Sequence, residues 1–285
     1  MTHELWARFI LMLGAAVVVP LGLECGMRSN KCGVSAIRRR PALFIFMIAA
    51  LLLGAGQLLP QGFWAATMSA PWLLVTCAIA VAGLASAWQH RRGPVGRLVC
   101  AGGMIYLAIG GGWVLVERAG IRPLDFDPAI VLLTGIHFHY AGFALPILAG
   151  MAIGRLPGML SNVVALGVIA SVPLVAVGIT ATQLGFAPVI EMIAAWCMSL
   201  SGLGVAWLYF RLAVQQTTNP VARQLWSFGA LFLTAGMLLS ILYGSRSLIP
   251  LPWLDIPWMR AWHGTANALG FTIPALLGWR WHVAR

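Results

Sequence analysis

What this chain has least of is charge. Only 9% of its 285 residues are Asp, Glu, Lys or Arg, 60% are hydrophobic, and mean hydropathy is +0.89. A soluble domain carries roughly a quarter charged residues, so a water-solvated globule is excluded and lipid becomes the expected solvent. No long polar segment is available to build a separate globular unit, which also excludes a soluble domain hung on an anchor. Missing too are a phosphate loop, a Gly-x-Gly-x-x-Gly ahead of a helix, a His-Glu-x-x-His pair and a serine nucleophile elbow. The usual nucleotide, metalloprotease and serine-hydrolase signatures are therefore absent. Cysteine is scarce and odd in number, at five. Cys77, Cys100 and Cys197 lie in apolar runs and read as small buried thiols. Cys25 and Cys32 fall in a loop expected to face the cytoplasm, where thiols stay reduced, and two cysteines fall short of the four ligands structural zinc takes.

The charge that is present leans one way: 18 Lys and Arg against seven Asp and Glu, a formal +11. Nucleic-acid binding does not follow, because the basic residues sit in short turns between apolar runs, the pattern that orients membrane proteins. Hydropathy and helix breakers place about nine spans, near 6–24, 42–59, 71–88, 95–117, 128–152, 157–182, 188–211, 223–245 and 261–281. The lengths suit helices, and exposed backbone in lipid leaves no alternative short of a closed barrel. The expected fold is thus all-α, a polytopic transmembrane bundle forming one integral domain over 1–285, with halves of roughly 1–127 and 128–285. Thirteen of the 18 basic residues, among them Lys31, Arg38, Arg39, Arg40, Arg91 and Arg285, fall on one side of such a bundle. That side is predicted to be cytoplasmic, with the amino terminus outside and the carboxy terminus inside. The first span is read as a retained helix, because no basic residue precedes Trp6 and its exit side is strongly positive.

One spelling occurs twice. Gly142 to Gly150 read GFALPILAG, and Gly270 to Gly278 read GFTIPALLG. Aligned without gaps, 118–150 and 246–278 share eight identities, and the alignment pairs Arg118 with Arg246, Asp127 with Asp255 and His139 with Asn267. The offset crosses four spans, an even number, so the copies run the same way: a parallel internal repeat. The first span, with Pro20, is a degenerate third candidate. In each copy a proline frees the carbonyl one turn earlier, that of Gly142 for Pro146 and that of Gly270 for Pro274. Either this is a packing kink lined with small residues, or it shapes a cavity that Gly142, Phe143 and Phe271 would line. Arg118 with Asp127, and Arg246 with Asp255, are expected to form exposed ion pairs steadying equivalent outer loops.

Ionisable groups deep in a bilayer are costly and are functional candidates by default. The fifth span carries His137, His139 and Tyr140 at a depth of roughly 13–17 Å at 1.5 Å per residue. In the ninth, His263 and Asn267 stand four residues apart on one face. An imidazole can donate, accept or titrate near neutral pH, an amide orients by hydrogen bonding, and a tyrosine can donate to a developing oxyanion. If the two helices face each other, His139, His263 and Asn267 converge, with Tyr140, Glu191, Tyr243 and Arg246 at the rim. The alternative is that each histidine is ordinary interhelical hydrogen-bonding glue. His137 and His139 cannot share a face, so one metal held by both would need the helix broken at Gly135. A metal shared by His139 and His263 would need carboxylates from Glu191 or Glu117. No metal or other cofactor is expected.

Through His137-Phe138-His139-Tyr140-Ala141-Gly142-Phe143 and Trp262-His263-Gly264-Thr265-Ala266-Asn267-Ala268-Leu269-Gly270-Phe271, the chain resembles the YndJ-like family over its fifth to ninth spans. The resemblance implies a multi-pass protein of the bacterial cell membrane whose His and Asn motifs matter, and implies no reaction. The residues themselves suggest an intramembrane enzyme acting on a small lipophilic substrate in an outer-half cavity. His137 or His139 would serve as acid or base, with Tyr140, His263 and Asn267 orienting substrate or stabilising charge. Rearrangement, cyclisation or hydrolysis suits these groups. The alternative, from a different class, is a small-molecule transporter, supported by the repeat and the proline-interrupted helices. Lipid and a small lipophilic molecule are the expected partners.

Overall fold

A computed structural model describes residues 3–29, 39–215 and 218–283. Cys32, Lys31, Arg38 and Arg285, which entered the loop and orientation expectations, lie outside the described residues. Among the described residues the secondary structure is helical throughout, in nine rods: α1 His3–Arg28, α2 Arg39–Leu58, α3 Phe63–Gln89, α4 Val95–Arg118, α5 Pro128–Ile153, α6 Met159–Gln183, α7 Val189–Gln215, α8 Pro220–Gly244 and α9 spanning 256–283. Seven of them, all but α2 and α9, are long and apolar enough to cross a membrane. Large apolar side chains such as Phe44, Leu51, Leu74 and Leu231 are more than 60% exposed, a surface suited to hydrocarbon and not to water.

Local sequence starts the rods. Pro128 opens α5 with the Asp127 carboxylate accepting from Ala129 N at 2.7 Å, and Asp255 caps α9 by accepting from Trp258 N at 3.0 Å. Pro220 opens α8 behind Asn219, whose side-chain oxygen accepts from Val221 N at 3.0 Å. Proline fits a helix start, where its missing N–H is no loss, and the side-chain oxygen satisfies an otherwise orphaned donor.

Three rods widen into a π segment: Gly14–Val18 in α1, Phe138–Ala144 in α5 and Ala266–Thr272 in α9. Each closes two residues before a proline, at Pro20, Pro146 and Pro274. The residue between donates its N–H five residues back: Val19 to Gly14 O, Leu145 to Tyr140 O, Ile273 to Ala268 O. A wider turn relieves the clash and lost bond that proline brings to a helix interior. Proline alone does not suffice, since Pro71 in α3 and Pro173 in α6 sit in unbroken α-helix.

The chain divides into two compact units, Met1–Ile147 and Leu148–Arg285. The division falls inside α5, just after its π segment. In the first unit each rod packs on the next and α5 returns to α1, so five rods close a ring. In the second, α6, α7, α8 and α9 pack in chain order, each on the next.

Two expectations are corrected here. Among the described residues neither Asp127 nor Asp255 pairs with an arginine, and both carboxylates cap helices instead. Arg118 is 1% exposed and pairs with Glu117 instead (Nε–Oε2 2.5 Å), while its Nη1 reaches the carbonyls of Gly56 and Leu59 at the end of α2. A guanidinium there satisfies carbonyls left open by the helix terminus. Arg246 pairs with Glu191 at 2.7 Å. Cys77 and Cys197 are free, but Cys100 is disulfide-bonded and is not the free thiol that its apolar surroundings suggested.

Candidate functional site

The paired helices of the two units are built alike. In the first unit α5 lies against α4. A Cβ on Gly103 would stand 3.1 Å from Phe143 O, one on Gly110 3.1 Å from His139 Nδ1, and one on Gly142 3.4 Å from Tyr106 Cβ. In the second, α9 lies against α8. A Cβ on Gly229 would meet Phe271 at 3.4 Å, one on Gly236 would meet Asn267 Oδ1 at 2.4 Å, and one on Gly270 would meet the Phe232 ring at 2.4 Å. Each contact of one pair has its counterpart in the other: Phe143 and Phe271, His139 and Asn267, Gly142 and Gly270. Cys100 Sγ lies 3.9 Å from Ile147 O, and in the counterpart place Trp226 Nε1 donates to Ala275 O at 3.3 Å. Phe143 and Phe271 are core side chains, at 0% and 2% exposure. Small residues at these points let two backbones approach closely.

His139 sits within the ring of the first unit and is wholly buried. Its Nδ1 lies 2.7 Å from Gly135 O and its Nε2 3.0 Å from Trp72 Nε1. A carbonyl can only accept and an indole N–H can only donate. The ring is therefore neutral, with its proton on Nδ1 and both nitrogens engaged. Gly14 brings α1 close, since a Cβ there would lie 3.2 Å from the Tyr140 ring. The Tyr140 hydroxyl donates to Ile10 O at 2.9 Å. His137 is half-buried on another side of α5, edge-on to Phe138 with ring centroids 6.5 Å apart.

The second unit brings His263 and Asn267 together, as their spacing predicts. His263 Nδ1 donates to Gly236 O at 2.8 Å, and Asn267 Nδ2 lies over the face of the imidazole, 3.0 Å from Nε2 and 3.3 Å from Nδ1. Its Nδ1 carries a proton, as that of His139 does, but an amide packed on the ring face stands in place of the indole N–H that bonds His139. Both residues are half-buried. Asn267 Oδ1 is a buried acceptor with no hydrogen-bond partner among the described residues. The Asn267 carbonyl accepts from Thr272 Oγ1 at 2.8 Å across the π segment.

The remaining candidates also gather in the second unit. Arg246 Nη2 donates to Glu191 Oε1, Nη1 donates to Tyr243 O at 3.2 Å, and the guanidinium lies 4.3 Å from the Tyr243 ring centroid. Tyr243, Arg246 and Asp255 line an open basin of about 540 Å³ walled by Pro250, Leu251, Pro252 and Pro257. Among the described residues, no group of three or more His, Cys, Asp or Glu side chains could hold a metal ion.

Several neighbours of the candidate residues carried no signal when the residues were read singly. Trp72 is one of thirteen tryptophans, and nothing in its surroundings marks it as a donor to His139. Gly110 and Gly236 were legible in principle, because Gly103 and Gly110 on α4, and Gly229 and Gly236 on α8, repeat one spacing ahead of the two helices that share a spelling. Arg8 and Gln61 were also missed. Both donate to Glu117 Oε1, at 3.2 and 3.0 Å, and Arg8 also bonds Gln57.

Apolar rods with polar centres buried between them define a multi-pass α-helical membrane protein. The chain belongs to the YndJ-like protein family, whose profile matches residues 9–271. The family likeness thus begins in α1 and takes in the first four rods, beyond the α5–α9 region that the His and Asn motifs marked. Over 213 residues, 73% of this chain, it is 30% identical to "Uncharacterized membrane protein YndJ" of Bacillus subtilis (strain 168). It spans 37% of that relative's length. No solved structure matches the chain.

Proposed function

We propose that this protein is an intramembrane enzyme acting on a small lipophilic molecule by histidine-based acid/base chemistry, with its centre at His263 and Asn267. The observation that carries the reading is the half-buried His263–Asn267 pair with the Asn267 Oδ1 acceptor left open beside it. Buried polar atoms are normally satisfied, and an open acceptor next to an imidazole suits a bound hydroxyl or N–H. His139, enclosed and bonded at both nitrogens, is better suited to holding α3 and α5 together. Rearrangement, cyclisation or hydrolysis fits such a centre, since each needs proton transfer and orientation.

The same reading gives the chain nine membrane spans, counting α2 and α9, with the amino terminus outside, the carboxy terminus cytoplasmic and the centre in the outer half of the bilayer. The matching contacts of α4–α5 and α8–α9 support a parallel duplication over 118–150 and 246–278, with α1 as a third, diverged copy.

Incubating the detergent-purified protein with a bacterial polar lipid extract and following products by mass spectrometry tests the enzyme. Wild type should convert at least one component, and His263→Gln and Asn267→Leu should lose conversion while keeping their elution profile. No conversion by wild type, or full conversion by both variants, overturns it. The duplicated π segments also favour a second reading as a small-molecule transporter. Solute accumulation in sealed proteoliposomes without chemical change would select that one.

A further inference from the structure

Two arginines stand near the basin of the second unit. Arg246 is matched by Glu191. The guanidinium of Arg260, in the first turns of α9, makes no hydrogen bond or ion pair among the described residues, although its Nε is buried. Buried polar nitrogens are normally satisfied, and a planar fork of N–H donors matches a carboxylate or phosphate. We infer that Arg260 is an anion-binding residue at the mouth of the His263–Asn267 centre, and that the molecule received there is an anionic lipid, its oxyanion head on the guanidinium and its apolar tail passing His263. The inference rests on the reading that His263 and Asn267 form the reacting centre, and it names the class of substrate.

Position along α9 supplies the rest. At about 100° per residue, Ile256, Arg260, His263 and Asn267 fall within one sector of about 60° and step down a single face. That face packs on α8, since His263 Nδ1 bonds Gly236 O and Asn267 fills the space beside the same glycine. Ile256, at its head, lines the basin together with Pro257, Tyr243 and Arg246. A helical side chain leans toward the helix N-terminus, so Arg260 leans toward the basin. His263 follows three residues later, about 4.5 Å along the axis, and a head held at Arg260 sets the tail atoms a few bonds below it beside the imidazole. With Asn267 over the ring face, the in-plane lone pair of Nε2 has no partner among the described residues and is open to a proton from that tail. Trp258 and Trp262 lie on the opposite side of the helix, exposed and stacked with ring centroids 6.2 Å apart. Exposed tryptophans of this kind sit at the level of lipid headgroups. Arg260, between them in sequence, then stands where a charged head belongs, and His263 where the tail begins. Asp255, on the basin wall, is exposed and caps α9 through Trp258 N; it does not pair with Arg260.

The test is competition against tritiated palmitate bound to the full-length protein in detergent, read by scintillation proximity. On wild type, hexadecyl phosphate should compete at a concentration at least about tenfold below that of hexadecanol. Inorganic phosphate, a head without a tail, should compete far more weakly than hexadecyl phosphate. Arg260→Gln should weaken palmitate binding about tenfold or more, the worth of a charge-assisted hydrogen bond, and Arg260→Lys should fall between the two. Arg280→Gln, the same loss of charge at the other end of α9, should bind as wild type does. In the lipid-extract assay the component consumed should be an anionic one. Equal competition by hexadecanol and hexadecyl phosphate on wild type overturns the site even where Arg260→Gln fails to fold, and so does an equal loss of binding in Arg260→Gln and Arg280→Gln. Inorganic phosphate competing as well as hexadecyl phosphate would put a free anion in place of the lipid and overturn the inference too. Arg260-dependent binding without any conversion by wild type sinks the enzyme and leaves the anion site. Conversion that is lost in His263→Gln, with palmitate binding indifferent to Arg260, does the reverse.

Discussion

Trp72 holds His139 as the neutral tautomer, and the consequence is measurable. Trp72→Phe keeps most of the ring volume but leaves Nε2 a buried acceptor without its donor, a loss of about 1–3 kcal/mol. The expected outcome is a clear fall in thermal stability in detergent, and an unchanged melting temperature would mean that the bond contributes nothing. Glu117 is the other residue on which much depends, because both its oxygens are bonded within a buried cluster with Arg118, Arg8 and Gln61. Removing one partner of a buried pair strands the other, at about 3–5 kcal/mol. Glu117→Leu should therefore destabilise far more than Glu4→Leu, whose carboxylate is exposed on the same Arg8. Little of this cluster was legible in advance. Glu117 and Arg118 are adjacent in sequence, but their partners Gly56, Leu59 and Gln61 arrive from the end of α2 and the turn beyond it.

Among the helices, glycine position decides how closely α4 and α5 approach. A Cβ on Gly110 would lie 2.9 Å from Phe138 Cβ, whereas one on Gly112 would meet open space. Gly110→Ala should cost about 1–3 kcal/mol by overpacking. Gly112→Ala should be neutral or stabilising by up to about 1 kcal/mol through helix propensity. Thermal melts of the two variants separate these outcomes. The helix starts offer a second contrast. Asp127→Ala should lose about 0.5–2 kcal/mol as an N-cap, while Asp127→Asn should keep nearly all of it. An ion pair with Arg118 would make both substitutions equally harmful, and that result would contradict the capping role. The π segments were only half legible: prolines mark where a helix must yield, but Pro71 and Pro173 show that packing decides whether it widens.

For the whole molecule, the bias of the basic residues fixes an expected orientation that thiol labelling can check. With Cys77 replaced by Ser, Arg122→Cys should react with an impermeant reagent on intact cells, and Arg91→Cys only after permeabilisation. The opposite pattern would invert the proposed topology. Membership of the YndJ-like family extends the comparison over nearly the whole chain, yet the relative is much the longer protein. The centre proposed at His263 and Asn267 lies wholly within the second unit and can be tested on this chain as it stands.

The sequence by itself determined the solvent, the helical class, the start of α5 at Pro128 and the likeness of α5 to α9, because lipid demands long apolar helices and a proline acts on its own backbone. It also set His263 beside Asn267, four residues apart on one turn. Tertiary structure alone decided which groups are spent and which are left open. Trp72 closes His139 from another helix, Glu191 takes Arg246, and Gly236 leaves Asn267 Oδ1 without a partner among the described residues. Hydrogen bonding between helices depends on which faces meet, and the spacing within one helix does not carry that information.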